Sequence, residues 1–400
     1  MKSKKICVVT ATRAEYGLLK NIILKLKEIP EYTVNVVVTG MHLSPEFGFT
    51  YREIEADGIV IDKKIDILLS ADAASAVSKT MGLAMIQFAD YFETSKPDLL
   101  IVLGDRYETL AVCCAAMNQR IPIAHLHGGE TTQGAVDEAI RHAITKLSFL
   151  HFTSTESYRN RVIQLGEAPE RVFCVGAMGI ENIINTPLLT REELKESLAR
   201  EQPGFELDGD YAVVTFHPVT LENGSERKQV EELLAAIHRT KDCKFVMTKA
   251  NADAGGRVIN AILDDFLVKE EKEQPGKVFL TESLGMVRYL SALKYSVMVV
   301  GNSSSGLMEA PFFGIPTVNI GNRQKGRIQG ESIINCEPVC TDILHAMKTA
   351  RTKEWQERCR NAKNPYGDGH TSDKITAVIQ EWLETDRIQL MKEFYDIEFL

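Results

Sequence analysis

The sequence lacks the features that would place the chain in a membrane or outside the cell. No stretch of its 400 residues approaches the roughly 18 consecutive apolar residues that a membrane-spanning helix requires. The apolar run near the start, Ile6–Val9, is too short for the core of a signal peptide. The eight cysteines include no C-x-x-C pair, so neither a disulfide framework nor a zinc–thiolate site is expected. We therefore expect a cytoplasmic protein with buried, reduced thiols.

An excess of positive charge is also missing. Lys and Arg number 46 against 55 Asp and Glu, which gives a formal net charge of −9. Such a chain has no bulk attraction to nucleic acid or to an anionic membrane, and a phosphate-bearing ligand must be held by a few placed cations. We expect a small phosphorylated ligand, no nucleic-acid partner and no membrane contact.

The fingerprints of two common classes of nucleotide-binding enzyme are missing as well. No G-x-G-x-x-G follows the first apolar run, where the chain reads Thr10-Ala-Thr-Arg-Ala-Glu-Tyr-Gly17. The segment Gly321-Asn-Arg-Gln-Lys-Gly326 is followed by Arg327 and not by Lys and Ser or Thr. A dinucleotide dehydrogenase and a P-loop NTPase are therefore poorly supported, and no redox cofactor is expected.

What the sequence does contain is an alternation of short apolar runs with longer helical patterns, which predicts α/β domains. Several runs are apolar on both faces, as a parallel sheet covered by helices requires. The alternation pauses between residues 185 and 209 and then resumes. We expect two doubly wound domains, over residues 1–185 and 205–370, followed by a C-terminal helical segment over residues 371–400. The predicted strands are Lys5–Thr10, Thr33–Thr39, Asp98–Leu103, Ile121–Leu126, Phe149–Thr153, Val172–Val175, Tyr211–Phe216, Cys243–Thr248, Lys277–Leu280, Tyr295–Val300 and Thr317–Ile320.

A serine-rich loop, Gly301-Asn-Ser-Ser-Ser-Gly306, follows one of these strands and opens a helix. Small residues, exposed N–H groups at a helix start and hydroxyl donors together predict a phosphate-binding loop, with Ser303 and Ser304 as donors. The alternative is an ordinary helix cap, because Ser is a preferred N-cap residue. Glu309, on the first turns of that helix, has the chemistry to accept both hydroxyls of a ribose, although an isolated Glu is more often solvated.

Cations follow strands in both predicted domains. Arg13 lies in the opening loop, and Arg323, Lys325 and Arg327 follow the strand that ends at Ile320. A diphosphate needs such side chains in an acidic protein. The alternative is that these charges are solvated surface.

The densest polar cluster is in the first half of the chain. Asp105 and Arg106 end one strand, Glu130 follows the next, and Asp137 and Arg141 open the following helix. Carboxylates packed together raise each other's pKa, which suits them to move protons at neutral pH. Because Asp137 and Arg141 are four residues apart on one helix, an ordinary ion pair is the alternative for them.

Three histidines fall near these strand ends. His125 and His127 are two apart, so on a strand they would point the same way, and H-x-H beside an acid is how many metal-dependent hydrolases begin a metal site. Such a hydrolase is the competing hypothesis. His217, after the first strand of the second domain, could donate to a phosphate or act as an acid.

Seven motifs, taken together and in order, resemble the hydrolysing UDP-N-acetylglucosamine 2-epimerases of sialic acid biosynthesis. The resemblance runs from about residue 4 to residue 370. It rests on Thr12-Arg-Ala-Glu-Tyr-Gly17, Val38-Thr-Gly-Met-His42, Gly104-Asp-Arg106, His127-Gly-Gly-Glu130, Ile140-Arg-His-Ala-Ile-Thr-Lys146, Gly301-Asn-Ser-Ser-Ser-Gly306 and Arg323-Gln-Lys-Gly-Arg327.

The resemblance implies two Rossmann-like domains of the GT-B type that face a cleft, with UDP in the cleft and a final helix returning to the first domain. It implies a homodimer or homotetramer that converts UDP-N-acetylglucosamine and water into N-acetylmannosamine and UDP, with no metal and no cofactor. Close relatives act on UDP-2,4-diacetamido-2,4,6-trideoxyglucose in legionaminic acid synthesis, which is the alternative substrate. The expected catalytic residues are Asp105, Glu130, Asp137, Arg141 and His217, and the expected UDP-sugar-binding residues are Arg13, Arg106, His217, Asn251, Ser303, Ser304, Glu309 and Arg323.

Overall fold

A computed structural model of the protein describes residues 3–69, 74–131, 136–217, 226–250, 256–385, 387–388 and 390–398. The chain divides into two units: unit 1 comprises Met1–Asn182 and Tyr366–Leu400, and unit 2 comprises Ile183–Pro365. Each unit is a parallel sheet with helices packed against it. Among the described residues, no helix has the length and apolar character needed to cross a bilayer.

Unit 1 contains a seven-stranded sheet in the order β3-β2-β1-β4-β5-β6-β7. All its neighbouring strands are parallel, and β1 and β4 are buried along most of their length because helices cover both faces. Its elements are β1 (Lys4–Thr10), α1 (Arg13–Lys27), β2 (Tyr32–Thr39), α2 (Tyr51–Ala56), β3 (Lys63–Ile65), α3 (Ala74–Ser95), β4 (Leu99–Leu103), α4 (Tyr107–Asn118), β5 (Ile123–Leu126), α5 (Val136–Leu147), β6 (Leu150–Thr153), α6 (Glu156–Gln164), β7 (Val172–Cys174) and α7 (Met178–Asn185).

Unit 2 contains a six-stranded parallel sheet in the order β10-β9-β8-β11-β12-β13. Its elements are α8 (Arg191–Glu201), β8 (Tyr211–Thr215), α9 (Glu226–Arg239), β9 (Lys244–Thr248), α10 (Gly256–Glu273), β10 (Val278–Thr281), α11 (Gly285–Tyr295), β11 (Met298–Gly301), α12 (Ser305–Phe312), β12 (Thr317–Ile320), β13 (Ile333–Cys336), α13 (Cys340–Ala350) and α14 (Lys353–Asn361). The last helix of the chain, α15 (Thr371–Glu384), belongs to unit 1.

In both sheets the strand order reverses beside the first strand of the unit. In unit 1, β1 lies between β2 and β4, and in unit 2, β8 lies between β9 and β11. Doubly wound sheets bind ligands at the carboxyl ends of the strands at such a reversal. Arg13, the first residue of α1, follows the loop after β1, the loop after β4 carries Asp105, and the loops after β8 and β11 carry His217 and Ser303. The topology therefore places the predicted residues where an α/β fold binds its ligand.

Helix α15 is held in unit 1 by apolar packing and by one buried carboxylate. Trp382 lies in the same core as α1, with its ring edge against Phe149 at 5.8 Å between centroids. Glu181 of α7 is 3% exposed and accepts hydrogen bonds from the backbone N–H of Ser372, at 2.8 Å, and from its hydroxyl. The expected fold class, two Rossmann-like domains with a C-terminal helix in the first, is confirmed.

Several predicted details differ from the structure. Unit 2 begins before residue 205 and ends at Pro365, because α8 packs on α11 and Gln202 donates to the Val278 carbonyl at 2.8 Å. The short strands β3 and β13, at the sheet edges, were not among the predicted strands. All eight cysteines are unpaired, as expected, although Cys174 is exposed.

We predict that Glu181→Ala destabilises unit 1 by about 2–4 kcal/mol, because a buried carboxylate that accepts several hydrogen bonds is lost. The matched control is Asp373→Ala: Asp373 pairs with the same Lys25 that lies 3.4 Å from Glu181, but the Asp373 side chain is 57% exposed. Its loss should cost at most about 1 kcal/mol. Urea unfolding and hydrogen exchange of the α15 amides measure both effects. Equal losses in the two variants would contradict the assignment.

Candidate active site

Arg141 is the centre of a cluster of charged side chains in unit 1. It lies on α5, is 6% exposed, and forms an ion pair with Asp105, which follows β4. Its Nη1 lies 3.6 Å from Oε2 of Glu130, which follows β5, and donates to the carbonyl of His127 at 3.0 Å. The structure thus brings Asp105, Glu130 and Arg141 together from two strand ends and one helix.

A residue that the sequence analysis missed orients Glu130. The hydroxyl of Ser154, buried directly after β6, donates to Oε1 of Glu130 at 2.7 Å. Nδ1 of His127 lies 3.4 Å from the same oxygen. The position of Ser154 at the end of a predicted strand was the signal that could have identified it, by the rule that predicted its neighbours.

Asp137 belongs to the same electrostatic environment, although it is exposed on the first turn of α5. Burial raises the pKa of Asp105, the negative charges of Asp137 and Glu130 raise it further, and Arg141 opposes them. The ion pairs described above join Arg141 to Asp105 and Glu130, which replaces the simple pairing of Asp137 with Arg141 that the helical spacing suggested. Neighbouring carboxylates therefore raise the pKa of Asp105, as expected from the sequence.

His125 is a buried structural bridge. Its Nε2 donates to the carbonyl of Gly104 at 2.8 Å, and its Nδ1 lies 3.3 Å from the Thr145 hydroxyl. His127 lies beyond the end of β5 with a φ of +63°, so the two-residue alternation of a strand does not extend to it. Both ring nitrogens of His125 contact protein atoms, which argues against the H-x-H metal site. Within the described residues there is no group of three or more His, Cys, Asp or Glu arranged to hold a metal ion.

The two predicted arginines near β1 and β4 already have carboxylate partners. Arg106 pairs with the buried Glu108 at 2.6 Å, and the highly exposed Arg13 pairs with Glu53 at 3.0 Å. Near Arg106, burial raises the pKa of Glu15 to about 7, although backbone N–H groups donate to its carboxylate. Both arginines thus lie at helix starts beside the strand reversal, Arg106 partly enclosed and Arg13 open to solvent.

In unit 2, Asn302 joins three loops that the sequence analysis treated separately. Its Oδ1 accepts from the N–H of His217 at 2.7 Å, and its Nδ2 donates to the His217 carbonyl at 2.8 Å. Its own carbonyl accepts from Nη1 of Arg323 at 3.1 Å and from Gln324 at 2.8 Å. His217 and Arg323 are thereby held against the serine loop.

The hydroxyl of Ser304 is not used to cap α12. Ser304 occupies the N-cap position with φ −61° and ψ −25°, and its side chain makes no capping hydrogen bond. Ser303 Oγ makes only a long contact, 3.4 Å, with the N–H of Ser305. The helix-cap alternative is therefore not supported for Ser304.

In the sequence analysis the glycines of the loop are assigned to phosphate binding, but in the structure they permit close packing of strands and of a helix. A Cβ on Gly301, whose φ is +139°, would lie 2.0 Å from the carbonyl oxygen of Thr215, and a Cβ on Gly306 would lie 2.6 Å from Thr317. These glycines are required by the close packing of β11 against β8 and of α12 against β12. Close approach of the backbone to a ligand is not needed to explain them.

Glu309 is not a solvated surface residue. Burial raises the pKa of its carboxyl, and its Oε2 is enclosed without a hydrogen-bond partner among the described residues. Tyr289 donates to the Ser305 hydroxyl at 2.8 Å; burial raises the pKa of its phenol, and the nearby Glu309 charge raises it further. Asn251 lies outside the described residues.

The fold and these loops define the class of the protein: an α/β protein with two doubly wound parallel units and polar residues at both strand reversals. A family model described as UDP-N-acetylglucosamine 2-epimerase matches residues 24–380. The chain is 41% identical to a GDP/UDP-N,N'-diacetylbacillosamine 2-epimerase (hydrolyzing) of Campylobacter jejuni, over 99% of this chain and all of that protein. It is 37% identical to the polysialic acid biosynthesis protein P7 of Escherichia coli, over 98% of each chain.

Solved structures show the same fold. The crystal structure of UDP-GlcNAc 2-epimerase from Neisseria meningitidis bound to UDP-GlcNAc superimposes with a TM-score of 0.75, at 20% identity, over 94% of this chain and all of that chain. The chain belongs to the UDP-N-acetylglucosamine 2-epimerase family, a family of enzymes.

We predict that His125 makes the stability of the protein sensitive to acid. Burial lowers its pKa to about 3, against 6.5 in the unfolded chain, although the hydrogen bond to Gly104 opposes this shift. Between these values only the unfolded chain binds the proton. The contribution is therefore fully present above pH 6.5 and is lost as the pH falls, by about 1.4 kcal/mol per pH unit.

His125→Gln keeps a donor for the Gly104 carbonyl but cannot titrate. The measurement is the free energy of unfolding in urea. Between about pH 6.5 and 4.5, this variant should lose less stability than the unaltered protein. The control His345→Gln removes an exposed imidazole and should keep the original slope. Identical slopes for all three proteins would show that His125 is not the responsible group.

Proposed function

We propose that the protein is a hydrolysing 2-epimerase of a UDP-2-acetamido sugar. The observation that carries the proposal is the cluster in unit 1, where Asp105 and Glu130 share the buried Arg141 and Asp137 adds a third negative charge. A reaction that removes a proton from carbon and returns one to the opposite face needs several placed acid/base groups, and this cluster supplies them.

The proposed chemistry couples two bond cleavages. A carboxylate removes the proton from carbon 2 as the bond from carbon 1 to the UDP oxygen breaks, which gives a 2-acetamidoglucal and UDP. Water then adds its oxygen to carbon 1 and gives up one proton to a carboxylate, while a carboxyl group returns a proton to the opposite face of carbon 2. The products are UDP and a free sugar that is epimeric at carbon 2. Asp105, Glu130 and Asp137 supply the proton transfers, and Arg141 holds two of them in place.

Unit 2 is proposed to bind the nucleotide. Ser304 has a hydroxyl that α12 does not use for capping, Ser303 makes only a long contact with the N–H of Ser305, and Arg323 is held beside them by the Asn302 carbonyl. Hydroxyls, a guanidinium and a helix N-terminus are suited to a diphosphate and lower the free energy of the departing UDP. The enclosed carboxylate of Glu309 is assigned to the ribose hydroxyls, and the backbone of His217 is fixed by Asn302 so that its ring can reach the phosphates. Arg13, Arg106 and Asn251 complete the proposed set.

The identity of the sugar is proposed from the similarity to the relatives. UDP-N-acetylglucosamine, with N-acetylmannosamine for sialic acid synthesis as product, is supported by the 37% identity to the polysialic acid biosynthesis protein. The 2,4-diacetamido-2,4,6-trideoxy sugar is a second candidate, favoured by the 41% identity to the diacetylbacillosamine enzyme. A cytoplasmic homodimer or homotetramer is part of the same proposal.

We predict that incubation with one of these two UDP-sugars in heavy water releases UDP together with the free 2-epimer, which carries deuterium at carbon 2. The label is expected because the proton removed from one face is not the one returned to the other. NMR of the sugar and of UDP follows both products. Activity should survive extensive chelation, since no metal takes part in the proposed steps.

Three results would contradict this proposal. An epimer that is still attached to UDP would exclude the hydrolysing reaction, and an unlabelled product would exclude elimination and re-addition. Loss of activity on chelation with rescue by zinc or manganese would favour the metal-dependent hydrolase.

We predict that mutations in unit 1 lower the reaction rate and that mutations in unit 2 weaken UDP binding. Asp105→Asn, Glu130→Gln and Asp137→Asn should lower the rate by about a hundredfold or more, the usual contribution of a placed acid or base, and leave UDP affinity within a few fold. Ser303→Ala, Ser304→Ala and Arg323→Met should weaken UDP binding by about 1.5–3 kcal/mol per lost charge-assisted bond.

Calorimetric titration with UDP and the initial rate of UDP release measure the two effects. Arg327→Met is the matched control for Arg323→Met, because Arg327 is an exposed arginine of the same loop and should change UDP affinity far less. If an amide variant loses UDP affinity in step with its rate, its carboxylate acts on the nucleotide and not on a proton.

A further inference from the structure

Unit 1 also contains a polar pocket whose residues take no part in the proposed reaction. Its volume is about 500 Å³, within the range of small-molecule sites, and it lies where the last residues of the chain return to the sheet. Phe149, Arg171 and Trp382 line one part of it, and the segment Met391–Tyr395 lines another.

The C-terminal segment that forms one wall is attached at defined points. The ammonium of Lys392 donates to the carbonyls of Lys146 and Ser148, at 2.8 and 2.7 Å, which end helix α5 and the turn after it. The N–H of Tyr395 donates to the carbonyl of Gly166 at 3.0 Å, and the Phe394 ring lies where a Cβ on Gly166 would be. The pocket is therefore part of the folded unit, closed on one side by the end of the chain.

Arg171 is the notable lining residue. Only 5% of it is exposed, its guanidinium lies 5.1 Å from the centre of the Phe149 ring, and its Nη2 is 3.7 Å from Glu167. Its Nη1 is buried and has no hydrogen-bond acceptor among the described residues. Buried donors of a charged group are nearly always paired, so this one needs an explanation.

Beside the pocket, one buried carboxylate is surrounded by several cations. Glu167, fully buried, is shared by Lys146 at 2.6 Å, Lys392 at 2.9 Å and Arg171. Burial raises the pKa of Glu167, but hydrogen bonds from His151, Lys146 and Lys392 outweigh it and hold the pKa at about 2. The pKa of His151 is lowered by burial, so this ring adds no charge near neutral pH. One carboxylate therefore faces three cations.

The rest of the lining is of mixed charge and strongly aromatic. Arg387, stacked 4.3 Å from the Trp382 ring centre and paired with Glu381, adds a cation, whereas Glu170 and Glu393 line the pocket as exposed carboxylates. Aromatic walls make no useful contact with a bare inorganic ion, but they bury the body of an organic one.

We propose that this pocket binds an organic anion, a phosphate or a carboxylate attached to an aromatic or apolar body. The guanidinium of Arg171 donates to the anionic oxygen, and the rings of Phe149 and Trp382 pack against the body. This site is separate in its residues from the UDP-sugar machinery, so the proposal does not depend on the proposed function.

The chain offers a direct reporter for this pocket. It has two tryptophans, Trp355 in unit 2 and Trp382 in the pocket wall. In the Trp355→Phe protein the fluorescence therefore reports on Trp382 alone. Titration of this full-length protein with phenyl phosphate and with benzoate should produce a saturable change, and the tighter of the two ligands identifies the anionic group. Inorganic phosphate should bind at least tenfold more weakly than phenyl phosphate.

In the same background, Arg171→Met should weaken binding at least tenfold, and Arg387→Gln, at an exposed position, should weaken it by a smaller factor. Arg200→Met, which removes a highly exposed arginine of unit 2, is the control and should bind as before. The rate of UDP release from the UDP-sugar should stay within a few fold in all three variants.

The proposal is overturned if neither phenyl phosphate nor benzoate changes the fluorescence saturably, or if Arg171→Met and Arg387→Gln both bind as the parent does. It is also overturned if the response to these ligands disappears on Arg323→Met, because the signal would then come from the nucleotide site. Failure of the UDP-sugar assay with a retained response of Trp382 would leave this proposal standing and remove the proposed function.

Discussion

The buried guanidinium of Arg141 is the interaction on which the acid cluster depends. Two half-buried carboxylates at neighbouring strand ends, Asp105 and Glu130, repel each other and lose part of their hydration. Arg141 compensates both charges and, through its bond to the His127 carbonyl, also fixes the loop between them. Removing it would leave uncompensated buried charge, which costs far more than a surface ion pair. The cluster exists in this form because a single cation on α5 reaches both strand ends.

In unit 2 the loops at the strand ends are held together by a neutral residue. The side-chain amide of Asn302 holds the backbone of His217, and its backbone carbonyl holds Arg323. The loops are therefore joined by a residue that carries no charge. The cation and the hydroxyls therefore remain suited to an anionic ligand. The contrast between the two units follows from their proposed tasks: one retains negative groups that exchange protons, and the other receives a diphosphate.

Helix α5 links the cluster to the C-terminal segment. Arg141 is on its inner face, Thr145 contacts His125, and Lys146 in its last turn pairs with Glu167, which also holds Lys392. The position of this helix is therefore determined by charges at both ends as well as by apolar packing. Lys146 thus connects the buried Glu167 to the helix that carries Asp137 and Arg141.

The sequence by itself determined the parts of this protein that depend on strongly periodic or fully apolar segments. The central strands of both sheets and the polar residues at their carboxyl ends were predictable, because strands buried on both faces must be apolar and parallel strands end at one edge. The edge strand β3, with two exposed lysines in three residues, has no such signal. Only the tertiary structure decided that Gly301 serves strand packing, that both ring nitrogens of His125 contact protein atoms, that Ser154 donates to Glu130 and that Asn302 holds the backbone of His217. Each of these roles depends on a contact between residues distant in sequence, for which neither composition nor local spacing carries information.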